Sequence, residues 1–463
     1  MEKTIVAPQY SGVFGQAVLS RLSRSWAYDH NSLFVDAQLT GEIRVIPFEK
    51  GNQGELFLVK IPYSIRRKPI KKNRTIEEGG EFCLVDKRFY QAAGRERHFL
   101  QSLGIPEDSS VKLYPWETEY KALGRVSACF GGPDSDYHPV PGKGMLFRKL
   151  RSVVRPFVQG TTLEDKISTM NARISISLER MQKLVEEGRQ QEISELETDM
   201  ENIGINRDRY ISATVKLCAD IHKELRKCIS GKSKSRIDAP GGEEYADDVV
   251  KHLRHIFEGR GIEPSQKYLD EIRRAFLETK IAEILNERET PIVYDLRPSN
   301  IVIRETSRNL EDRSSKEMVD CEEVEKSLVV VDWGKFRLGL PHIDLITLLY
   351  NVQLDLRGDQ IEGLVGYYLS MITPKIDPLE YAGFLRKMKM VAVPTLIHAA
   401  DSEDVPEYGQ EHLRKAILLL REDISGKPAQ RLRELLEEVP DPVGKKDPVL
   451  PNKRRLDLGN DFE

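Results

Sequence analysis

Residues 291–303 read PIVYDLRPSNIVI, and the fold turns on that stretch. Ile292 and Val293 on one side and Ile301, Val302 and Ile303 on the other are β-branched, the residue type that fills interior strands. Between them lie Asp295 and Asn300, five residues apart. Burying polar side chains costs free energy unless new partners replace water. A polar loop clasped by two apolar strands therefore needs a reason beyond packing.

Working outward, a charged stretch, RETSRNLEDRSSKEMVDCEEVEKS, separates strand 301–303 from a second apolar strand at 328–331 and reads as a long hairpin excursion. Four helical patterns follow, at 343–357, 360–372, 378–400 and 406–438, before a Pro-broken, charged tail. Upstream, 161–289 is helical by its i, i+3, i+4 spacing, with a hairpin insertion around 178–203 and a basic link at 230–242 that reads as a loop. Residues 33–62 predict three short strands in an antiparallel meander, broken at LTG and KGNQG. A helix carrying AAGRERHFLQSLG and strands near RVSACF and VVRPFV complete the expectation.

At 463 residues the chain can bury two or three cores. Seventy Lys and Arg against 74 Asp and Glu give a formal charge of -4, which argues against nucleic acid or an anionic membrane as a global partner. The basic run RRKPIKKNR at 66–74 reads as a solvated loop, with an anionic docking strip as the alternative. No apolar stretch is long enough to span a bilayer, and five scattered cysteines form no C-x-x-C pair, so the expectation is a cytoplasmic protein without membrane insertion. His252 and His255, spaced i, i+3, read as an exposed helical face, since no third metal ligand lies near them in sequence. The acidic clusters EEYADD and DSEDVPE read as solvated surface.

Five polar residues interrupt the strand and helix patterns in order: Lys60, Glu96, Asp295, Asn300 and Asp332. Phosphoryl transfer from a nucleotide needs a cation on the phosphates, a carboxylate to hold it, an Asp near the acceptor hydroxyl and two oxygen ligands for magnesium. The chain supplies each in that order.

The run Y-D-L-R-P-S-N-I-V-I, then V-V-V-D-W-G-K-F-R-L-G-L-P-H-I-D-L, resembles the catalytic and metal loops of the aminoglycoside phosphotransferase and choline kinase group within the protein-kinase-like fold. The resemblance covers about residues 33–400 and implies an α+β, bilobal architecture: a small antiparallel-sheet lobe at 1–157, a mainly helical lobe with a helical insertion at 158–440, and a tail at 441–463. It implies ATP, or GTP, with Mg2+ as cofactors, Asp295 as the base, and Asn300 and Asp332 as metal ligands. By the same carry-over Lys60 contacts the phosphates, Glu96 holds Lys60, the turn at Gly41 covers the phosphates, and Arg155, Phe157 and Val158 meet the base. Asp344 would brace the catalytic loop. Val293 stands where the family carries a His whose hydrogen bond helps hold that loop. Pro341 lies nine residues after Asp332, leaving no room for the activation segment of a protein kinase, so the expected acceptor is a small hydroxylated molecule. The alternatives are a nucleotide-binding scaffold of pseudokinase type, or a kinase of a polymer- or lipid-linked sugar. Oligomeric state is not legible.

Overall fold

The computed structural model describes residues 19, 23, 32–51, 54–70, 74–89, 145–147, 152–156, 158–228, 240–287, 290–304, 319–333, 336–373, 375–402 and 406–439. The chain divides into two units, Met1–Val158 and Gln159–Glu463.

The first unit is built on an antiparallel sheet of β1 (Ser32–Leu39), β2 (Arg44–Gly51), β3 (Gly54–Pro69), β4 (Ile76–Phe89), β5 (Met145–Phe147) and β6 (Ser152–Pro156). It corrects the expected meander. β3 runs for 16 residues, long enough for β2 to pair with its first half (Arg44 opposite Lys60) and β1 with its second (Leu39 opposite Tyr63). The start of the basic run is thus strand rather than loop, with Arg66 paired to Asp36 at 3.0 Å and Arg67 paired to Glu78 at 2.5 Å. Val59, Ile61 and Ile65 alternate onto one face and form the core with Ala37, Val45 and Leu84. The expected helix carrying Glu96 and the strand near RVSACF lie outside the described residues.

The second unit is mainly helical. Thr162 caps α1 (Leu163–Glu186) by accepting from the Asp165 N–H at 3.1 Å, and Gly188, at φ 71°, turns the chain into α2 (Gln190–Cys228). This is the expected helical hairpin. α3 (Gly242–Gly259), α4 (Gln266–Leu277) and α5 (Lys280–Ile284) lead to two small sheets. In one, β9 (Ile301–Arg304) lies between β10 (Leu328–Val330) and β7 (Gly160–Thr162); in the other, β8 (Thr290–Ile292) pairs with β11 (Arg337–Gly339). The charged excursion between β9 and β10 contains a helix, α6 (Cys321–Ser327), capped by Asp320. Five helices then replace the four patterns: α7 (Pro341–Leu349), α8 (Gly358–Ile372), α9 (Pro378–Ser402), α10 (Pro406–Glu422) and α11 (Lys427–Glu437). The last pattern splits at Gly426, whose φ of 119° no helix continues through. No described helix is long and apolar enough to cross a membrane.

Candidate active site

The strand–loop–strand reading of 291–303 holds. β8 ends at Ile292, a 3-10 turn covers Pro298–Asn300, and β9 begins at Ile301. Asn300 Nδ2 donates to the Asp295 carbonyl at 2.9 Å, so the Asn closes the loop that carries the Asp. β10 pairs with β9 so that Val330 faces Ile301, and the Val331 N–H donates to the Asn300 carbonyl at 2.9 Å. Asp332 is the next residue, which brings the two expected metal ligands to neighbouring strand ends. Trp333 is fully buried, its Nε1 donating to the Val330 carbonyl at 2.9 Å, and anchors the chain just past Asp332.

Asp344, in the first turn of α7, is fully buried, and its carboxylate accepts three hydrogen bonds: from Val293 N–H at 2.8 Å, Tyr294 N–H at 2.7 Å and His222 Nε2 at 2.8 Å. A carboxylate only accepts, so His222 carries a hydrogen on Nε2; its Nδ1 lies 2.7 Å from the Tyr368 hydroxyl. Val293 offers no imidazole, and His222, from α2, reaches the loop only through Asp344. Tyr294 has φ 71°, and its ring lies 3.7 Å beneath the Arg337 guanidinium. Burial pushes its phenol up to about 12.

Asp295 is buried, and Arg297 Nε donates to its Oδ1 at 2.6 Å. A cavity opens beside them, lined also by Tyr350, Asn351, His398 and His412. Burial pushes the Tyr350 phenol up to about 12, so it keeps its proton at neutral pH. The lining places hydrogen-bonding side chains around the Asp295 carboxylate.

In the first unit, Val59 and Ile61 are fully buried on the core face, which turns Lys60 to the opposite face of the sheet. There the nearest described carboxylate is Glu81 on β4, at 4.0 Å, and Glu81 also pairs with Arg44. Gly41 sits in the exposed β1–β2 turn, where the Thr40 N–H donates to the Pro62 carbonyl at 3.3 Å. Arg155 is buried in β6 opposite Val85, and Val158 is half-buried. Glu96 and Phe157 lie outside the described residues.

Sequence reading missed Arg297, Glu81, His222, Tyr368 and His398. Arg297 had a local signal, its place inside the polar loop; the histidines had none. The exposed-face reading of His252 is also corrected: it is buried and bonded to Asp401 and His398, both on α9. Asp401 belongs to the DSEDVPE cluster, so part of that cluster is engaged rather than solvated.

No family model matches the chain, and no curated protein matches it significantly. Among solved structures it is similar to a choline kinase from Cryptosporidium parvum Iowa II (TM-score 0.44, 9% identity, 85% of this chain and 93% of that one). It is similar to APH(2″)-IIa in its complex with gentamicin (TM-score 0.40, 13% identity, 89% of this chain and 98% of that one). A third is an ethanolamine kinase from Plasmodium vivax (TM-score 0.38, 12% identity, 81% of this chain and 82% of that one).

Proposed function

We propose that the chain is a phosphotransferase that moves the terminal phosphoryl group of a nucleotide, ATP or GTP, to a hydroxyl of a small acceptor. The observation that supports this best is the Val331 N–H···O Asn300 bond, which joins the backbone just before Asp332 to the end of the loop carrying Asp295. An amide oxygen and a carboxylate are hard-oxygen donors of the kind magnesium takes. When bound, the ion would neutralise charge on the phosphates.

On this reading Asp295 orients the acceptor hydroxyl and takes its proton, and Arg297 holds the carboxylate in place from 2.6 Å. Tyr350, Asn351 and His398 line the acceptor side. Lys60 contacts the nucleotide phosphates, with Glu96 as its partner; the Gly41 turn covers them, and Arg155, Phe157 and Val158 meet the base.

A thermal-shift panel tests the proposal without knowledge of the acceptor: ATP and GTP, with and without Mg2+, on wild type and Asp332→Ala. A ligand at about 100 times its Kd stabilises the folded state by about 2.7 kcal/mol, a readable rise in Tm. A magnesium-dependent rise that vanishes in Asp332→Ala is expected. A folded wild-type protein that shifts with neither nucleotide would overturn the reading.

A further inference from the structure

His252 and His255 stand one turn apart on α3, and Asp401 reaches them from the last turn of α9. Both imidazoles turn Nδ1 to the same atom, Asp401 Oδ2, at 2.7 Å for His252 and 3.1 Å for His255, and the three donor atoms lie within 4.8 Å of one another. His252 is buried, whereas the His255 side chain is 46% exposed, so the cluster has a floor of protein and an open side. The nitrogen of His252 that faces away from the cluster is engaged too, with Nε2 lying 2.7 Å from His398 Nδ1. An imidazole oriented through its second nitrogen is the usual support of a metal-bound histidine.

We propose that His252, His255 and Asp401 bind a divalent transition ion of the zinc class, with solvent water as the fourth ligand. Two imidazoles and one carboxylate favour such an ion over magnesium, which prefers an all-oxygen shell. Bonds of about 2.0–2.1 Å in a tetrahedron separate ligand atoms by roughly 3.3 Å. The observed 2.7 and 3.1 Å spacings therefore need to open by roughly 0.6 and 0.2 Å, with the two imidazole nitrogens already within 4.8 Å of each other.

Binding has a consequence at the cavity. With both rings neutral and no ion, His252 carries its hydrogen on Nδ1, facing Asp401, and His398 donates from its own Nδ1. An ion on His252 Nδ1 moves that hydrogen to Nε2, which then donates to His398 Nδ1 and leaves the His398 hydrogen on Nε2. Ion loading thus reverses the hydrogen-bond polarity of a side chain that lines the cavity beside Asp295.

The proposal does not rest on the phosphotransferase reading, and the test keeps them apart. Co2+ titrated into the full chain is expected to give the intense visible absorption of a tetrahedral site at one equivalent, displaced by Zn2+. The band should be unchanged in Asp332→Ala and lost in both His255→Ala and Asp401→Asn; His255 is exposed enough for its substitution to leave the fold intact. No such band in wild type, or one that persists unchanged in His255→Ala, overturns the site.

Discussion

Tyr294 donates its backbone N–H to Asp344 Oδ1 at 2.7 Å while holding φ at 71°, and it is the residue directly before Asp295. A bulky side chain in the left-handed region costs about 1–3 kcal/mol and persists only where the surroundings enforce it. Here the enforcement is visible. Asp344 takes the N–H groups of Val293 and Tyr294, and Arg337 covers the Tyr294 ring at 3.7 Å. The backbone that presents Asp295 is held at a strained angle by a carboxylate 50 residues further along the chain.

Removing that carboxylate leaves three buried donors without an acceptor: two backbone N–H groups and His222 Nε2. Each unsatisfied buried group costs about 1–3 kcal/mol. Asp344→Ala should therefore lose at least about 3 kcal/mol in urea denaturation. A loss below about 1 kcal/mol would mean that the loop holds its shape without Asp344.

His222 bridges Asp344 and Tyr368, both buried, so the two contacts should be energetically linked. Tyr368→Phe deletes one hydroxyl and should cost about 0.5–1.5 kcal/mol. In a His222→Leu background the same deletion should cost close to nothing, because the hydroxyl has already lost its partner. Equal costs in the two backgrounds, measured as a double-mutant cycle, would show the bridge to be energetically silent.

What was legible in the sequence was local. The apolar flanks of Asp295, Asn300 and Asp332 mark strands because a buried strand and a polar loop differ within a few residues, whereas Asp344 was reached only through the resemblance that P-H-I-D-L carries. His222 was illegible because it occupies one position of an apolar helical stripe with Cys218, Ile221 and Leu225, and nothing near it signals a carboxylate 122 residues away. His252 and Asp401 are separated by 149 residues, and their meeting depends on how α3 packs against α9. The pairing of β1 with β3 was misread because adjacency in sequence was taken for adjacency in the sheet. The break between α10 and α11 had a signal in S-G-K-P, which the apolar periodicity on either side obscured.

Gly160 opens β7 opposite Arg304 of β9, and a Cβ there would lie 1.9 Å from the Ile303 carbonyl oxygen. That obstacle is backbone, so it has no rotamer to move aside. Gly160→Ala should push β7 away from β9, lower the denaturation midpoint and disturb the turn that β9 shares with Asn300. Amide hydrogen exchange at Val302–Arg304 is the direct readout. Unchanged protection there, with wild-type stability, would mean that the chain relieves the clash elsewhere.

His342, in the first turn of α7, stacks on Phe384 with ring centroids 3.9 Å apart, and burial, reinforced by the charge of Lys387, pushes its pKa down to about 3. In the unfolded chain the imidazole titrates near its ordinary 6.5. Between those values the unfolded state binds a proton that the folded state refuses, so the stability it contributes is complete above pH 6.5 and drains as pH falls toward 3. The slope from one such group is at most about 1.4 kcal/mol per pH unit. His342→Phe keeps an aromatic ring against Phe384 and takes up no proton in either state. Its urea stability should therefore fall less steeply than that of wild type across this window, with the two profiles diverging progressively below pH 6 or so. Parallel profiles would mean that His342 is protonated in the folded protein as readily as in the unfolded chain, and its burial against Phe384 would then be wrong.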